Sequence, residues 1–275
     1  MTVTGRMPAV RPPTLRDVAE AAAVHVATAS RALNPDTRSL VSSTTAERVL
    51  QAAKALDYRP NPIARSLRTA RTDTVGLVIP DLTNPLVPPM VRGVADVLTP
   101  AGYDAWIVNT DNDPDREIAQ IESLRDKQVD GLIVATARLE HPWLEQLHDE
   151  GVRIVLANRL LGAGRIPSVT ADNAAGSALA VEHLAGLGHT RIAHVSGPQT
   201  LSTGLVRRRG YLQAIRDRGL PEDPELLVTC AAWTEQEGAR AVGELLDAFT
   251  DPDRPARGVL LQPTLVIRSS TAPPA

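Results

Sequence analysis

Apolar residues recur at helical spacing in the N-terminal part of the chain and then give way to short continuous runs. Leu15, Val18, Ala19 and Ala22 fall on one face of a helix that Thr14 caps and Asp17 favours from its first turn. After a break at Ala23-Val24, HVATASRAL predicts a second short helix, which stops at Asn34-Pro35 because proline cannot continue it. A third helix begins after Ser42 and carries Ala46, Val49, Leu50, Ala53 and Leu56 on one face. Three short helices with a tight turn between the first two fit a helix-turn-helix. They fit a generic three-helix bundle as well, and the pattern alone leaves both open.

From Thr74 onward the runs TVGLVIP, YDAWIVN, DGLIVAT, VRIVLAN and RIAHVSG read as buried strands. Helical stretches such as DPDREIAQIESLRDKQ and NAAGSALAVEHLAGLG separate them. Apolar strands alternating with helices predict a parallel sheet covered on both faces, with ligands bound beyond the carboxyl ends of the strands. The last strand-like run, RGVLL, gives way at Gln262-Pro263 to QPTLVIRSSTAPPA, which is expected to be a sheet broken off at one of its strands.

Charge adds an asymmetry that the net value of -3 conceals. Residues 1–72 hold eleven Lys and Arg against five Asp and Glu, out of 29 and 32 in the whole chain, so a basic head precedes an acidic body. That is the footprint of a nucleic-acid-binding head, although a solvated charged face gives the same count. The single cysteine, Cys230, excludes an internal disulfide framework and a Cys-based zinc cluster, and is expected to be a small buried hydrophobe. No apolar run is long enough for a membrane span and the N-terminus has no apolar signal core, so a cytoplasmic location is expected. The first strand is followed by PDLTNP rather than a glycine-rich dinucleotide fingerprint. Neither a P-loop nor a nucleophile elbow occurs. No enzyme, cofactor or metal is therefore expected, and His183, His189 and His194 are read as structural.

The wording of the head is more specific than its periodicity. TLRDVAEAAAVHVATASRALN and VSSTTAERVLQAAKALDYRPNPIARSLRT resemble the DNA-binding head and hinge of the lactose-repressor (LacI/GalR) family at nearly every position from Thr14 to Thr69. The resemblance implies a homodimer that places two recognition helices in successive major grooves of a pseudo-palindromic operator in double-stranded DNA. It implies Val26, Ala27 and Arg31 at base edges, where an arginine pairs bidentately with guanine. Thr28 and Ser30 carry hydroxyls suited to phosphates. Thr14, His25, Asn34 and Tyr58 complete the implied contacts of the head. In the hinge, Leu67 is the implied wedge at the operator centre, with Asn61 and Ala64 in the minor groove. Arg31 as a plain surface arginine is the competing reading. Two departures stand out: Ala23 where the family has Gly in the turn, and His25 where it has Ser at the start of the recognition helix. Strain at positive φ and a weaker N-cap are expected from them.

The body resembles the family's effector-sensing core, a two-lobed fold shared with periplasmic sugar-binding proteins, through VGLVIPDLTNP, DGLIVA, TADNAAGSALAVEHLAGLGHTRIAHVSGP and RRRGYLQAI. On that resemblance Asn84, Asn158, Arg207 and Trp233 line a pocket for a sugar-like effector: amides and guanidinium for hydroxyls, indole for a sugar face. Each has a plainer alternative. Trp233 fits core or rim packing, Arg207 fits one of three solvated arginines, and Asn84 before Pro85 fits a helix N-cap. Pro88 and Pro89 are expected to delay the following helix until near Pro89.

The expected organisation is an α head plus an α/β core. It comprises a flexible segment 1–13, a helix-turn-helix domain 14–60, a hinge helix and linker 61–73, a first lobe 74–170, an incomplete second lobe 171–261 and an aberrant tail 262–275. The expected function is a sequence-specific transcriptional regulator, a repressor answering to a small effector. The alternatives are a truncated member that binds DNA without effector response, one hypothesis being a frameshift, and a soluble sugar-binding module.

Overall fold

A computed structural model describes residues 11–60, 66, 71–249 and 259–260. The hinge residues Asn61, Ala64 and Leu67, and the tail 262–275, lie outside the described residues. The chain forms two compact units, Met1–Thr72 and Asp73–Ala275.

The first unit holds α1 (Leu15–Ala21), α2 (Val26–Leu33) and α3 (Ser43–Ala55). Thr14 caps α1 in a full capping box: its hydroxyl accepts from the Asp17 N–H at 3.4 Å, while the Thr14 N–H donates to Asp17 Oδ2 at 2.6 Å. Val18, Ala19, Ala22, Ala29, Ala32, Ala46, Val49 and Ala53 form the core, with Leu15, Val26 and Tyr58 packed on its margin. Small residues dominate it, and alanines let three short helices approach closely. Between α1 and α2 the chain turns through Ala23 at φ 49°, the left-handed region expected of a glycine.

The second unit has two sheets, parallel as the pattern predicts and two in number as the resemblance implies. The first orders its strands β2-β1-β3-β4-β5: β1 (Thr74–Ile79), β2 (Asp104–Asn109), β3 (Gly131–Val134), β4 (Ile154–Ala157) and β5 (Ser168–Val169). Val78, Leu132, Val134, Ile154 and Leu156 face Ile121 and Leu124 of α5 (Pro114–Asp126) and Leu144 and Leu147 of α6 (Pro142–Asp149). On the other face Leu77 and Ile79 pack against Val87, Met90, Val91 and Val94 of α4 (Val87–Leu98).

Helix α4 begins at Val87, earlier than the two prolines predict. Pro88 and Pro89 occupy its first turn, where backbone N–H groups have no intrahelical partner, so no hydrogen bond is lost.

The second sheet has the order β7-β6-β8, from β6 (Ala193–Ser196), β7 (Leu227–Thr229) and β8 (Val259–Leu260). Helices α7 (Asn173–Gly186), α8 (Ser202–Asp217) and α9 (Glu235–Phe249) accompany it. Cys230 is buried with Ala193, Leu226 and Val228. Two bonds join loops of the first sheet to the start of α8: Leu139 N–H to the Thr200 carbonyl at 2.9 Å, and Leu160 N–H to Ser202 Oγ at 2.8 Å.

Candidate functional site

In the first unit, α2 presents one polar face. Ala27 and Arg31, four residues apart and therefore on one side, are exposed, and Thr28, Ser30 and Asn34 are half-buried beside them. Val26 divides its surface, since it also packs on the core. His25 is exposed and caps α2 itself: its Nδ1 accepts from the Ala27 N–H at 3.2 Å. The residue expected to weaken the cap therefore supplies one. Asn34 closes the helix, with its Oδ1 accepting from the Asp36 N–H at 3.2 Å. The Thr14 hydroxyl is committed to the capping box and donates to Asp17 Oδ2 at 2.7 Å. Hydrogen bonds from the Thr14 backbone and hydroxyl hold the Asp17 carboxyl below its ordinary range. Tyr58 is half-buried against the core, and burial raises its hydroxyl pKa.

In the second unit, Asn84 and Asn158 stand beyond the carboxyl ends of β1 and β4. Asn84 Oδ1 accepts from the Leu86 N–H at 3.0 Å and its carbonyl from the Val87 N–H at 2.9 Å, so it turns the chain into α4, while Leu86 is the N-cap. Asn158 sits at φ 64°, a conformation that asparagine tolerates, and its N–H bonds the Val169 carbonyl at 2.9 Å.

Arg207 and Trp233 come together. The guanidinium carbon lies 5.3 Å from the indole centroid, within cation–π range. Arg207 is half-buried, which lowers its pKa, and it is not one of three solvated arginines. Trp233 keeps 42% of its surface exposed. Its ring also crosses Gly197 at the carboxyl end of β6, where a Cβ would come within 2.0 Å of it. The indole is thus a rim group set between a glycine and an arginine.

The sequence reading missed a buried ionic cluster at the carboxyl edge of the first sheet. Glu117 of α5 is 1% exposed and accepts a hydrogen bond from Thr136. Arg138 Nη1 stands 2.9 Å from Glu117 Oε2, and Arg138 Nη2 is 2.7 Å from His141 Nε2. Arg159, also buried, donates to Asn112 Oδ1 at 3.1 Å. Burial pushes the Glu117 carboxyl up against the opposing pull of Thr136, Arg138 and Arg159. Burial, and then Arg138, bring His141 down to about 4, so its ring is neutral and Nε2 accepts. Burial lowers Arg159 to about 10, with Glu117 opposing, which leaves it charged at neutral pH. A signal was present in the sequence: Glu117, Ile121 and Leu124 share one helical face, and a carboxylate in an apolar stripe requires a partner. Among the described residues, no group of three or more His, Cys, Asp or Glu could hold a metal ion.

Known proteins match both units. Residues 14–61 match the family described as bacterial regulatory proteins, lacI family. Residues 72–254 match the periplasmic binding proteins and sugar binding domain of LacI family. The chain belongs to the LacI family. Its members are transcriptional regulators rather than enzymes, and this chain is one of them. Among relatives of this LacI-family chain, the ribose operon repressor of Halalkalibacterium halodurans is 38% identical over 240 residues, 87% of this chain and 70% of the relative. Catabolite control protein A of Priestia megaterium is 34% identical over 255 residues, 90% of this chain and 76% of the relative. A solved complex of the regulator CelR with cellobiose superposes with a TM-score of 0.59 at 31% identity, covering 87% of this chain and 72% of that one. The lac repressor dimer bound to operator shares the fold, with a TM-score of 0.74 at 23% identity over 86% of this chain and 71% of that one. No helix among the described residues is long and apolar enough to cross a membrane.

Proposed function

We propose that this regulator is an operator-binding repressor, released or engaged by a small sugar-like effector, that acts as a homodimer on the nucleoid in the cytoplasm. The observation that carries the reading is the Arg207–Trp233 pair at the carboxyl edge of the second sheet, in a chain whose α2 exposes Ala27 and Arg31. A guanidinium and an indole offer a sugar hydrogen-bond donors and an apolar face. The Ala27–Arg31 face offers a base edge a small contact and a bidentate donor. Asn84 and Asn158 would supply further donors and acceptors to the effector. His25, Val26, Thr28, Ser30, Asn34, Thr14 and Tyr58 would support the reading face or touch phosphates, and Asn61, Ala64 and Leu67 would reach the minor groove. Relatives named for ribose and solved with cellobiose make those sugars the first probes.

A second copy has a surface suited to it. Leu86, Gly93 and Val97 form one line along α4, and Leu86 and Val97 are 52% and 72% exposed. Nothing lies within 4 Å of where a Cβ of Gly93 would stand, so a partner helix can approach closely there.

The test is binding of the full chain to a pool of genomic DNA fragments at stated salt, with and without ribose and cellobiose. Selective recovery of a palindromic sequence, with affinity altered by a sugar, is expected. Recovery without sequence preference defeats the operator reading. A selected sequence whose affinity neither sugar changes leaves a DNA-binding protein that senses neither.

A further inference from the structure

Helices α7 and α8 make a polar contact beside the candidate effector site. Asn173, the first residue of α7, is 6% exposed. Its Nδ2 donates to the Ala171 carbonyl at 3.1 Å, and its Oδ1 accepts from Arg207 Nε at 2.8 Å. The first bond orients the second, because an amide held by its nitrogen can aim its oxygen in few directions.

Helix capping does not account for Asn173. Asp172 is already the N-cap, with Oδ1 accepting from the Ala175 N–H at 2.9 Å, so α7 starts without help from its neighbour. Backbone spacing supports the bond from the other side. At Gly210, one turn beyond Arg207, a Cβ would stand 2.5 Å from the Ala174 carbonyl oxygen, so the two helices approach at a distance only glycine permits. Glycine sets the gap between the helices, and asparagine spans it.

The consequence lies at the far end of the arginine. With Nε engaged, the guanidinium is held against Trp233, and among the described residues no other hydrogen bond engages Nη1 and Nη2, a planar fork of donors. We infer that Asn173 is a positioning residue for Arg207, presetting this fork over the indole for an effector that offers two adjacent oxygen acceptors, as a vicinal diol does. The inference rests on the effector reading of Arg207 for its purpose, but its geometry is testable alone. Ordering the arginine beforehand removes an entropic cost from binding.

The experiment uses the full chain with Trp106 and Trp143 replaced by Phe, which leaves Trp233 the sole emitter of the three tryptophans. Arg207→Ala defines the emission of the indole without its guanidinium. Asn173→Ala is expected to reproduce that emission and to speed hydrogen exchange at Arg207 Nε by about tenfold, the loss of one charge-assisted hydrogen bond. Asn173→Asp keeps an acceptor in place and is expected to retain the parent behaviour in both. Asn173→Ser, too short to reach Nε, gives a second polar variant should Asn173→Ala fail to fold, and is expected to behave as Asn173→Ala does. An Arg207→Ala change in emission that neither Asn173→Ala nor Asn173→Ser reproduces overturns the inference. With ribose or cellobiose bound to the parent, Asn173→Ala is expected to weaken affinity by about tenfold and Asn173→Asp to restore most of it. If Arg207→Ala leaves sugar affinity intact, the effector reading of Arg207 falls, while emission and exchange still decide the positioning.

Discussion

Ala23 and Arg31 show how much one residue decides. Ala23 holds φ 49°, where a Cβ is costly and glycine is not. Ala23→Gly is expected to stabilise the helix-turn-helix by up to about 1 kcal/mol, less the extra freedom glycine gives the unfolded chain. Urea unfolding followed by amide exchange in α1 and α2 measures it, and a loss of stability would show that the turn carries no strain. Arg31 is exposed on the α2 face proposed to read bases. Arg31→Ala is expected to cost about 1–3 kcal/mol at one guanine and to relax preference there, whereas loss of a phosphate contact would weaken all sequences alike. Comparing affinities for the selected operator and for copies substituted at single base pairs separates the two.

Elements hold the buried ionisable groups. Thr136 and Arg138 follow β3, Arg159 follows β4, and all three converge on the Glu117 face of α5 or its neighbourhood. Glu117→Ala would leave Arg138 and Arg159 in low dielectric without their counter-charge. A loss of about 3–5 kcal/mol is expected, with Glu117→Gln costing less because it retains an acceptor for Thr136. Denaturant unfolding of the two variants tests this, and equal losses would make shape rather than charge the cause.

The second sheet has a different device. His194 of β6 is 5% exposed and stacks on Tyr211 of α8, with ring centroids 4.9 Å apart at 13°. Burial first, then Arg207 and Arg208, lower its pKa from 6.5 to about 4. Between those values the unfolded chain takes up a proton that the folded chain refuses. The stabilisation is therefore whole above pH 6.5 and is lost as pH falls toward 4. His141 acts with the same sign, also lowered to about 4. His194→Leu is expected to flatten the dependence of unfolding free energy on pH across this window, and an unchanged slope would exclude His194 as a source.

At the scale of the whole molecule, an operator with two half-sites requires two heads, and the candidate surface that pairs them lies on α4. Val97→Glu places a charge on the Leu86–Gly93–Val97 line, at a position more exposed than Leu86. It is expected to shift sedimentation toward monomer and to weaken operator binding while the sugar affinity of each subunit persists. A variant that stays dimeric with full operator affinity would place the interface elsewhere. Operator affinity is further expected to fall steeply with salt, because phosphate contacts release counterions.

What the chain states by itself is local. The capping box at Thr14, the stop at Asn34-Pro35, the alternation of apolar runs with helices from Thr74, and the helix-turn-helix wording each depend on residues a few positions apart. Such spacings leave a period that can be read. Proline position shows the limit of that reading, since the same residue breaks a helix or begins one according to where the first turn falls, and α4 starts at Val87. Only the tertiary structure decided the rest. Arg207 meets Asn173 across 34 positions, Thr136 meets Glu117 across 19, and Trp233 closes over Gly197 from the loop after β7. Contacts between elements have no period in sequence, because their partners are chosen by how sheets and helices pack rather than by spacing along the chain.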